Sequence, residues 1–332
     1  MEKIRWGILG CGNVTEKKSG PAFHTLPNCE LQAVMRRDKA KACDYAKRHS
    51  AKSYYDNYSD LIADKKVDAI YIATPPSTHS FYAIESLKNG KPVYVEKPMA
   101  VSVDECLAMV EASLKYNTPL YVAYYRRRMD YFIKIKEVID SGVIGKIHQA
   151  NIKLIKPFKG EFNGIDNWRL NPKISGGGYF VDLASHQLDL LLWYLGEVED
   201  VAGFASNLGS FYQPEDVVNA SIKFKSGALA NGQWNFIAPD HLEEDLFEII
   251  GEKGRICFST FKMDKIELYV EDRTEYITSA KPSVVEMPMI DHVTDMILNH
   301  KEDKFALKDA VEVTNIINTI LKRYYQDIDN AL

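Results

Sequence analysis

Short apolar runs alternate with amphipathic stretches along the first third of the chain. Runs rich in Ile, Val, Leu and Tyr predict strands, and the amphipathic stretches between them predict helices. The predicted strands are a run that begins at Ile4 and the segments 31–36, 53–54, 68–73, 91–95 and 120–123, and the predicted helices are 14–26, 39–49, 58–63, 77–89 and 103–117. Gly20-Pro21 should break the first helix, because proline lacks an N–H and blocks the preceding turn. This alternation predicts a parallel sheet.

The pattern changes to longer strands in the second part of the chain. An amphipathic helix is predicted over 130–141 and should end at Gly142, and two more helices, 290–300 and 306–325, should finish the chain. Between them the predicted strands are 146–155, 198–205, 217–224, 228–236, 246–250, 255–259 and 266–270. Turns such as 225–227 and 252–254 are typical of hairpins, so an open and mostly antiparallel sheet is expected. We therefore predict two domains, 1–123 and 124–332.

Composition narrows the class of protein. The 332 residues suit two domains, and 46% hydrophobic residues are enough to bury both cores. The net charge of −5 offers no basic field for a polyanion, so no nucleic-acid partner is expected. The five cysteines are scattered without a C-x-x-C pair, which favours a reducing compartment. With no apolar run long enough for a bilayer and no room for a signal peptide before the first strand, we expect a cytoplasmic protein without membrane contact.

A glycine-rich turn follows the first strand. In Gly10-Cys11-Gly12, the first glycine permits a tight turn, and the second removes a side chain that would block a pyrophosphate at the start of the next helix. The third small position of the dinucleotide fingerprint is occupied by Thr15. The alternative is a plain turn between a strand and a helix.

The end of the second strand bears on the choice of cofactor. An acid there would bind the ribose of NAD, whereas arginine can pair with the additional phosphate of NADP. Arg36 and Arg37 stand at this point, with Asp38 after them. We favour NADP over NAD, against the alternative that the arginines are only solvated.

Two further loops are predicted at the same carboxyl edge, where ligands bind in sheets of this kind. Thr74-Pro75 lies after one strand and is followed by His79, and Glu96-Lys97-Pro98 lies after the next. An ammonium group at Lys97 can hydrogen-bond a substrate hydroxyl and exchange its proton. His79 is either a cofactor contact or a histidine in the first turn of a surface helix.

The glycine run 176–178 precedes a helix that should end at Gly196. Asp182 and His186 are four residues apart, so they share one face of this helix. With Lys97 they would provide an acid, an imidazole and an amine. The alternative is that Asp182 caps the helix and His186 packs beneath it. No metal site is expected, since no further histidine or carboxylate lies at ligand spacing.

Together, Gly10-Cys11-Gly12, Glu96-Lys97-Pro98, Trp168-Arg169 and Asp182-x-x-x-His186 resemble the Gfo/Idh/MocA oxidoreductases. The resemblance covers nearly the whole chain. It implies a Rossmann fold, a second domain with a large and mostly antiparallel open sheet, and hydride transfer between NAD(P) and a sugar, polyol or related hydroxyl or carbonyl compound. The alternatives are an NAD-dependent glycosidase of the same fold and a non-catalytic nucleotide-binding regulator.

The resemblance also assigns residues. It implies that Lys97, Asp182 and His186 are catalytic, with Lys97 and His186 on the reacting oxygen. The implied cofactor contacts are Gly10, Gly12, Asn13 and Val14 at the phosphates, Thr74, Pro75 and His79 near the nicotinamide, and Glu96 in the crevice. Arg36 and Arg37 are expected at the ribose from their own position after the second strand, where family members that favour NAD often have an acid. The expected substrate contacts are Tyr124, Arg126, Trp168 and Arg169, with specificity set by the loops 158–171 and 206–216. A homodimer or homotetramer through the second domain's sheet is expected.

Overall fold

The structure is a computed structural model that describes residues 2–158, 167–301 and 304–331. The chain forms two compact units. The first consists of Met1–Met129 and Pro282–Thr314, and the second consists of Asp130–Lys281 and Asn315–Leu332.

A six-stranded parallel sheet forms the centre of the first unit. Its strands are β1 (Ile4–Leu9), β2 (Cys29–Met35), β3 (Ser53–Tyr55), β4 (Ala69–Ile72), β5 (Val93–Val95) and β6 (Leu120–Val122). The spatial order is β3-β2-β1-β4-β5-β6, which places the reversal of strand order between β1 and β4. Ligands of doubly wound sheets bind outside the carboxyl ends of the strands at such a point. The predicted parallel sheet is confirmed.

The helices between the strands of the first sheet follow the predicted alternation with one difference. They are α1 (Asn13–Lys17), α2 (Ala22–Thr25), α3 (Lys39–Arg48), α4 (Tyr58–Ala63), α5 (His79–Lys88) and α6 (Val103–Tyr116). The predicted break at Gly20 is confirmed, and a Cβ atom at this position would lie 1.9 Å from the Thr15 carbonyl oxygen. The helix predicted over 77–89 begins two residues later, at His79, because Pro76–Thr78 forms a 3₁₀ turn.

The first unit also includes a segment from late in the chain. Helix α10 (Met287–Leu298) packs against α2 and β1, and the Asn28 amide donates a hydrogen bond to Asp291 at 2.8 Å. The Tyr121 hydroxyl donates a hydrogen bond to the carbonyl oxygen of Lys301. The unit therefore differs from the contiguous domain 1–123: it extends to Met129 and takes in residues 282–314, because α10 completes its core.

An eight-stranded sheet forms the second unit. Its strands are β7 (Ile147–Ile155), β8 (Val198–Ser206), β9 (Val217–Phe224), β10 (Leu229–Asn235), β11 (Glu244–Gly251), β12 (Gly254–Phe258), β13 (Ile266–Val270) and β14 (Arg273–Ile277). The order is β14-β13-β12-β11-β7-β10-β9-β8, and among the described strands only β7 and β10 pair in parallel. The predicted open, mostly antiparallel sheet is confirmed. Strand β14 was not predicted, because it is an edge strand whose first four residues are exposed.

One face of this sheet is covered and the other is open. Along β9 and β10 buried and exposed residues alternate, and Trp234 and Phe247 are among the largest buried side chains. The helices that contribute to this unit are α7 (Asp130–Asp140), α8 (Pro172–Ser175), α9 (Tyr179–Leu195) and the later part of α11 (Lys304–Ala331). Across the described residues, none of the helices combines the length and apolar character needed to cross a membrane.

Candidate active site

The glycine-rich turn connects β1 to α1. Gly10 has a φ of +94°, and a Cβ atom there would lie 2.9 Å from both the Ala73 carbonyl oxygen and the Thr74 nitrogen. Only glycine fits this close approach between two neighbouring loops. A Cβ atom at Gly12 would meet no atom within 4 Å, so the space above this residue is open. The turn thus combines a tight backbone with open space, as binding of a pyrophosphate requires.

The first turn of α1 places the remaining residues predicted at the phosphates. Asn13 is exposed and Val14 is half-buried. Thr15, at the third position of the fingerprint, is fully buried, and its hydroxyl donates a hydrogen bond to the Gly12 carbonyl at 2.8 Å. A threonine is accommodated because its side chain turns back onto the loop instead of pointing outward.

Arg36 lies beside the glycine-rich turn. One guanidinium nitrogen donates a hydrogen bond to the Cys11 carbonyl oxygen at 3.2 Å, and the side chain is half-buried. Arg37 is exposed. Asp38 caps α3 by accepting a hydrogen bond from the Lys41 backbone N–H at 3.1 Å. Asp38 is therefore engaged in the helix cap, whereas the Arg36 guanidinium contacts the glycine-rich turn.

The loop after β4 is held from behind by His79. The two ring nitrogens of this fully buried side chain lie 3.0 Å from the Pro98 carbonyl oxygen and 2.8 Å from that of Thr74. Burial lowers the pKa of the imidazole. Thr74 and Pro75 are half-buried, and the Thr78 hydroxyl lies 2.8 Å from the Thr74 hydroxyl. His79 is thus not a surface residue: it supports both loops from within, and its direct contact with a cofactor stays a prediction.

Lys97 follows β5, next to a cis peptide bond at Pro98. Its side chain is half-buried, while Glu96 is only 7% exposed. Glu96 accepts hydrogen bonds from the Lys97 backbone N–H at 3.2 Å and from the Tyr71 hydroxyl at 2.6 Å. The Glu96 carboxyl therefore supports the lysine loop from below, and its contact with a cofactor also stays a prediction.

These loops form one site because of the sheet order. Gly10 and Gly12 follow β1, Thr74 follows β4, and Lys97 follows β5, and these three strands are parallel neighbours. Their carboxyl ends consequently lie along one edge of the sheet. The structure thereby brings together Gly10, Gly12, Thr74 and Lys97 within the first unit, whereas Asp182 and His186 belong to the second unit.

The second unit carries Asp182 and His186 on α9. Asp182 lies 3.6 Å from the Arg169 guanidinium, and that group stacks over the Trp168 ring at 4.5 Å from its centre. His186 is 4% exposed and its ring lies 6.2 Å from that of Phe261. Gly178, and not Asp182, occupies the N-cap position of α9, so the cap alternative for Asp182 is wrong.

A buried carboxyl group that the sequence did not reveal fixes the start of α9. Glu215 accepts hydrogen bonds from the Gly178 backbone N–H at 2.8 Å and from the Tyr325 hydroxyl at 2.6 Å. A Cβ atom at Gly177 would lie 2.3 Å from the Val181 side chain and 3.0 Å from this carboxyl group, so a larger residue does not fit without a shift. Burial is the main cause that raises the pKa of Glu215 to about 7.

The expected substrate residues Tyr124 and Arg126 are buried, at 3% and 5% exposure. The Arg126 guanidinium lies 5.1 Å from the centre of the Tyr125 ring. The two following arginines make structural contacts: Arg127 pairs with Asp309 at 2.8 Å, and Arg128 donates a hydrogen bond to His292 at 2.8 Å. Arg126, Arg127 and Arg128 therefore all contact residues of the first unit.

The comparisons with known proteins agree with this geometry. The model of an oxidoreductase family with an NAD-binding Rossmann fold matches residues 4–124, and the model of a GFO/IDH/MocA C-terminal domain matches residues 132–257. Oxidoreductase P35 from Formosa agariphila is 39% identical over 318 residues, covering 95% of this chain and 98% of that protein. The chain belongs to the Gfo/Idh/MocA oxidoreductase family.

Other relatives of this Gfo/Idh/MocA protein are named for sugar and polyol substrates. An inositol 2-dehydrogenase from Rubrobacter xylanophilus is 29% identical over 261 residues, covering 77% of this chain and 71% of that protein. A levoglucosan dehydrogenase solved with NADH and levoglucosan has a TM-score of 0.87, 21% identity and 96% coverage of both chains. At that identity the structural likeness supports the fold alone.

Proposed function

We propose that this Gfo/Idh/MocA protein transfers a hydride between NAD(P) and a hydroxyl or carbonyl carbon of a sugar or polyol. The observation that carries the proposal is the placement of Gly12, Thr74 and Lys97 after three neighbouring parallel strands. The open space above Gly12 fits a dinucleotide. When bound, the nicotinamide accepts or supplies the hydride.

The protein's own part in the chemistry is to bind the reacting oxygen and move its proton. We propose that Lys97 and His186 hydrogen-bond this oxygen and that one of them is the acid/base. Asp182 orients them, and Arg169 holds the Asp182 carboxylate at 3.6 Å. The hydrogen bonds of Glu96 and His79 fix the backbone of the loop that carries Lys97, which supports a defined position for this residue before a substrate binds.

We propose a preference for NADP. Arg36 lies on the glycine-rich turn and Arg37 is exposed beside it, so both are available to a 2′-phosphate. Asp38 is engaged at the start of α3.

Substrate recognition is proposed for Tyr124, Arg126, Trp168 and Arg169. The loop 206–216 has a defined conformation, because Asp216 accepts hydrogen bonds from the backbone N–H groups of Leu208 and Gly209 at 2.8 and 2.7 Å. Part of the other expected specificity loop, residues 159–166, lies outside the described residues.

Assembly and location are further parts of the proposal. The open face of the second unit's sheet carries Leu229, which is 54% exposed, among polar residues, and we propose that a second copy covers this face in a homodimer or homotetramer. All five cysteines are free thiols, which supports a cytoplasmic location.

The test is hydride transfer by the purified protein. Inositols, anhydrosugars, aldoses, ketoses and dicarbonyls are incubated with NADP(H) or NAD(H), and nicotinamide absorbance is followed. Lys97→Met should lower kcat/KM at least about a hundredfold, because the acid/base is lost. Lys66→Met is the matched control, since Lys66 is an exposed lysine of the same unit, and it should leave the rate unchanged.

Two outcomes would contradict the proposal. If no substrate of the panel changes the absorbance, the dehydrogenase function is refuted. Cleavage of an aryl glycoside without net turnover of the nucleotide would instead establish a glycosidase of the same fold.

A further inference from the structure

An acidic residue interrupts the apolar pattern of β11 on the covered face of the second unit's sheet. Phe247 and Ile249 of this strand are fully buried, and side chains along a strand point to alternate faces, so Asp245 lies on the same face two residues earlier. Its neighbour on β7 is Leu154, which is also fully buried. A carboxyl group in this position needs hydrogen-bond donors.

The donors are three consecutive backbone N–H groups in the loop between β12 and β13. Thr260 donates to one oxygen of Asp245 at 3.0 Å, and Phe261 and Lys262 donate to the other at 2.6 and 3.1 Å. Asp245 thus anchors the backbone of residues 260–262 to β11.

The same loop is joined to α9 next to His186. The side-chain amide of Gln187 donates a hydrogen bond to the Thr260 hydroxyl at 3.4 Å, and its oxygen accepts one from the Trp234 indole N–H at 2.7 Å. Gln187 and Thr260 are fully buried, and Trp234 is almost so. Water therefore does not compete for these hydrogen bonds.

These contacts close on themselves through the sheet. Trp234 on β10 and Asp245 on β11 are both paired with Leu154 on β7, so they lie on either side of it. The sheet is thus connected to α9 through Gln187, from there to the loop through Thr260, and back to the sheet through Asp245. We call Trp234, Gln187, Thr260 and Asp245 the anchoring circuit.

The anchored loop places an aromatic ring against His186. Phe261 is half-buried, and its ring centre lies 6.2 Å from that of His186 at an interplanar angle of 75°. This is an edge-to-face arrangement, which aromatic pairs favour over a parallel sandwich. Since Gln187 follows His186 on α9, the anchoring circuit fixes the helix beside the imidazole, and Phe261 limits the rotation of the ring.

We propose that Phe261 and the anchoring circuit hold the imidazole of His186 in the orientation that it needs to hydrogen-bond the reacting oxygen. Phe261 and Asp245 are thus positioning residues that act through His186. A group held in the productive geometry before the substrate binds contributes more to the rate than a mobile one. The functional meaning rests on the proposed role of His186 at the reacting oxygen.

The test compares two substitutions of Phe261. Phe261→Leu keeps an apolar side chain but removes the ring, and it should lower kcat about tenfold or more with every substrate that the protein converts, because His186 is misaligned. Phe261→Tyr keeps the ring and should stay within about threefold of the original kcat. Binding of NADP(H), measured by calorimetry, should be unchanged in both variants, since the residues proposed for the nucleotide belong to the first unit.

Asp245→Asn tests the anchor of the loop. Asparagine offers one oxygen where aspartate offers two, so hydrogen exchange of the amides 260–262 should accelerate and kcat should fall as in Phe261→Leu. The double variant should be within about twofold of Phe261→Leu, because both changes act through the same ring. The control is Phe81→Leu, an exposed phenylalanine on α5, which should leave kcat unchanged.

The proposal is overturned if Phe261→Leu leaves kcat unchanged or alters only the KM of particular substrates, which would make Phe261 a substrate contact. It is also overturned if Phe261→Tyr loses as much activity as Phe261→Leu. The two Phe261 variants decide the question even if Asp245→Asn does not fold.

A second measurement requires no turnover. Modification of His186 by diethyl pyrocarbonate, followed by mass spectrometry, should be faster in Phe261→Leu than in the original protein and in Phe261→Tyr, because the imidazole is less closely covered. Equal rates would contradict the proposal. If the rates differ as expected but the original protein transfers no hydride, the dehydrogenase proposal fails and the placement of His186 by Phe261 stands.

Discussion

Glu215→Gln should change the dependence of stability on pH. The carboxyl group of Glu215 is fully buried and holds the first residues of α9 through the Gly178 N–H and the Tyr325 hydroxyl. Glutamine has the same shape and retains an oxygen to accept the Gly178 N–H, but it cannot ionise. The variant therefore isolates the effect of the ionisation of Glu215.

The magnitude follows from the pKa. Burial raises the pKa of Glu215 from 4.5 to about 7, which corresponds to about 3 kcal/mol of unfolding free energy. Because the folded protein holds this proton more tightly than the unfolded chain does, the stabilisation is complete below about pH 4.5 and is lost as the pH rises to about 7. Relative to Glu215→Gln, the original protein should therefore lose about 3 kcal/mol across this range.

Urea unfolding followed by circular dichroism at several pH values measures this difference. Tyr325→Phe is an informative second variant: it removes a hydrogen bond that lowers the pKa of Glu215, so the loss of stability should continue to higher pH. Parallel curves for the original protein and Glu215→Gln between pH 4.5 and 7.5 would refute the reasoning, since they would show that Glu215 is ionised throughout.

Two other predictions concern the cofactor. Gly12→Val should weaken binding of NADP(H) at least about tenfold, measured by calorimetry, and leave the melting temperature unchanged, because the added side chain enters only open space. Gly10→Ala should instead lower the melting temperature, because of the φ of +94° at Gly10 and the contact with Thr74. Equal melting temperatures for the two variants would contradict this prediction. Arg36→Ala should lower kcat/KM with NADP about tenfold or more while that with NAD changes little, and an equal loss with both cofactors would show that Arg36 supports the turn instead of selecting the phosphate.

Strands and helices with a clear local pattern of apolar, glycine or proline residues could be predicted from the sequence. Apolar alternation predicted the strands of both sheets, and Gly20-Pro21 predicted the break between α1 and α2. Strand β14 was missed, because its edge position leaves it exposed and without an apolar face. The apolar pattern of a helix also does not show which of two cores the helix packs against. The packing of α10 in the first unit could therefore not be predicted.

For the candidate site as well, residues in a local pattern were predicted, and residues whose partners are distant in sequence were not. The glycine-rich turn and Lys97 follow strands directly, so their spacing predicted their common edge. Glu215 was not predicted, because its partner is distant in sequence: Tyr325 is 110 residues from Glu215, and the alternation of apolar residues contains no information about such a pair. The surface alternative for His79 was wrong, since the sequence does not show that the loops around Thr74 and Pro98 close over it.

The position of α10 has a consequence for synthesis on the ribosome. All six strands of the first sheet are translated early, but Asn28 meets Asp291 only after 263 further residues have been added. Until then, the surface of α2 and β1 that α10 covers is exposed on the nascent chain. A transcript truncated within the second unit would therefore yield a nucleotide-binding sheet with an uncovered apolar side, a substrate for chaperones and proteases.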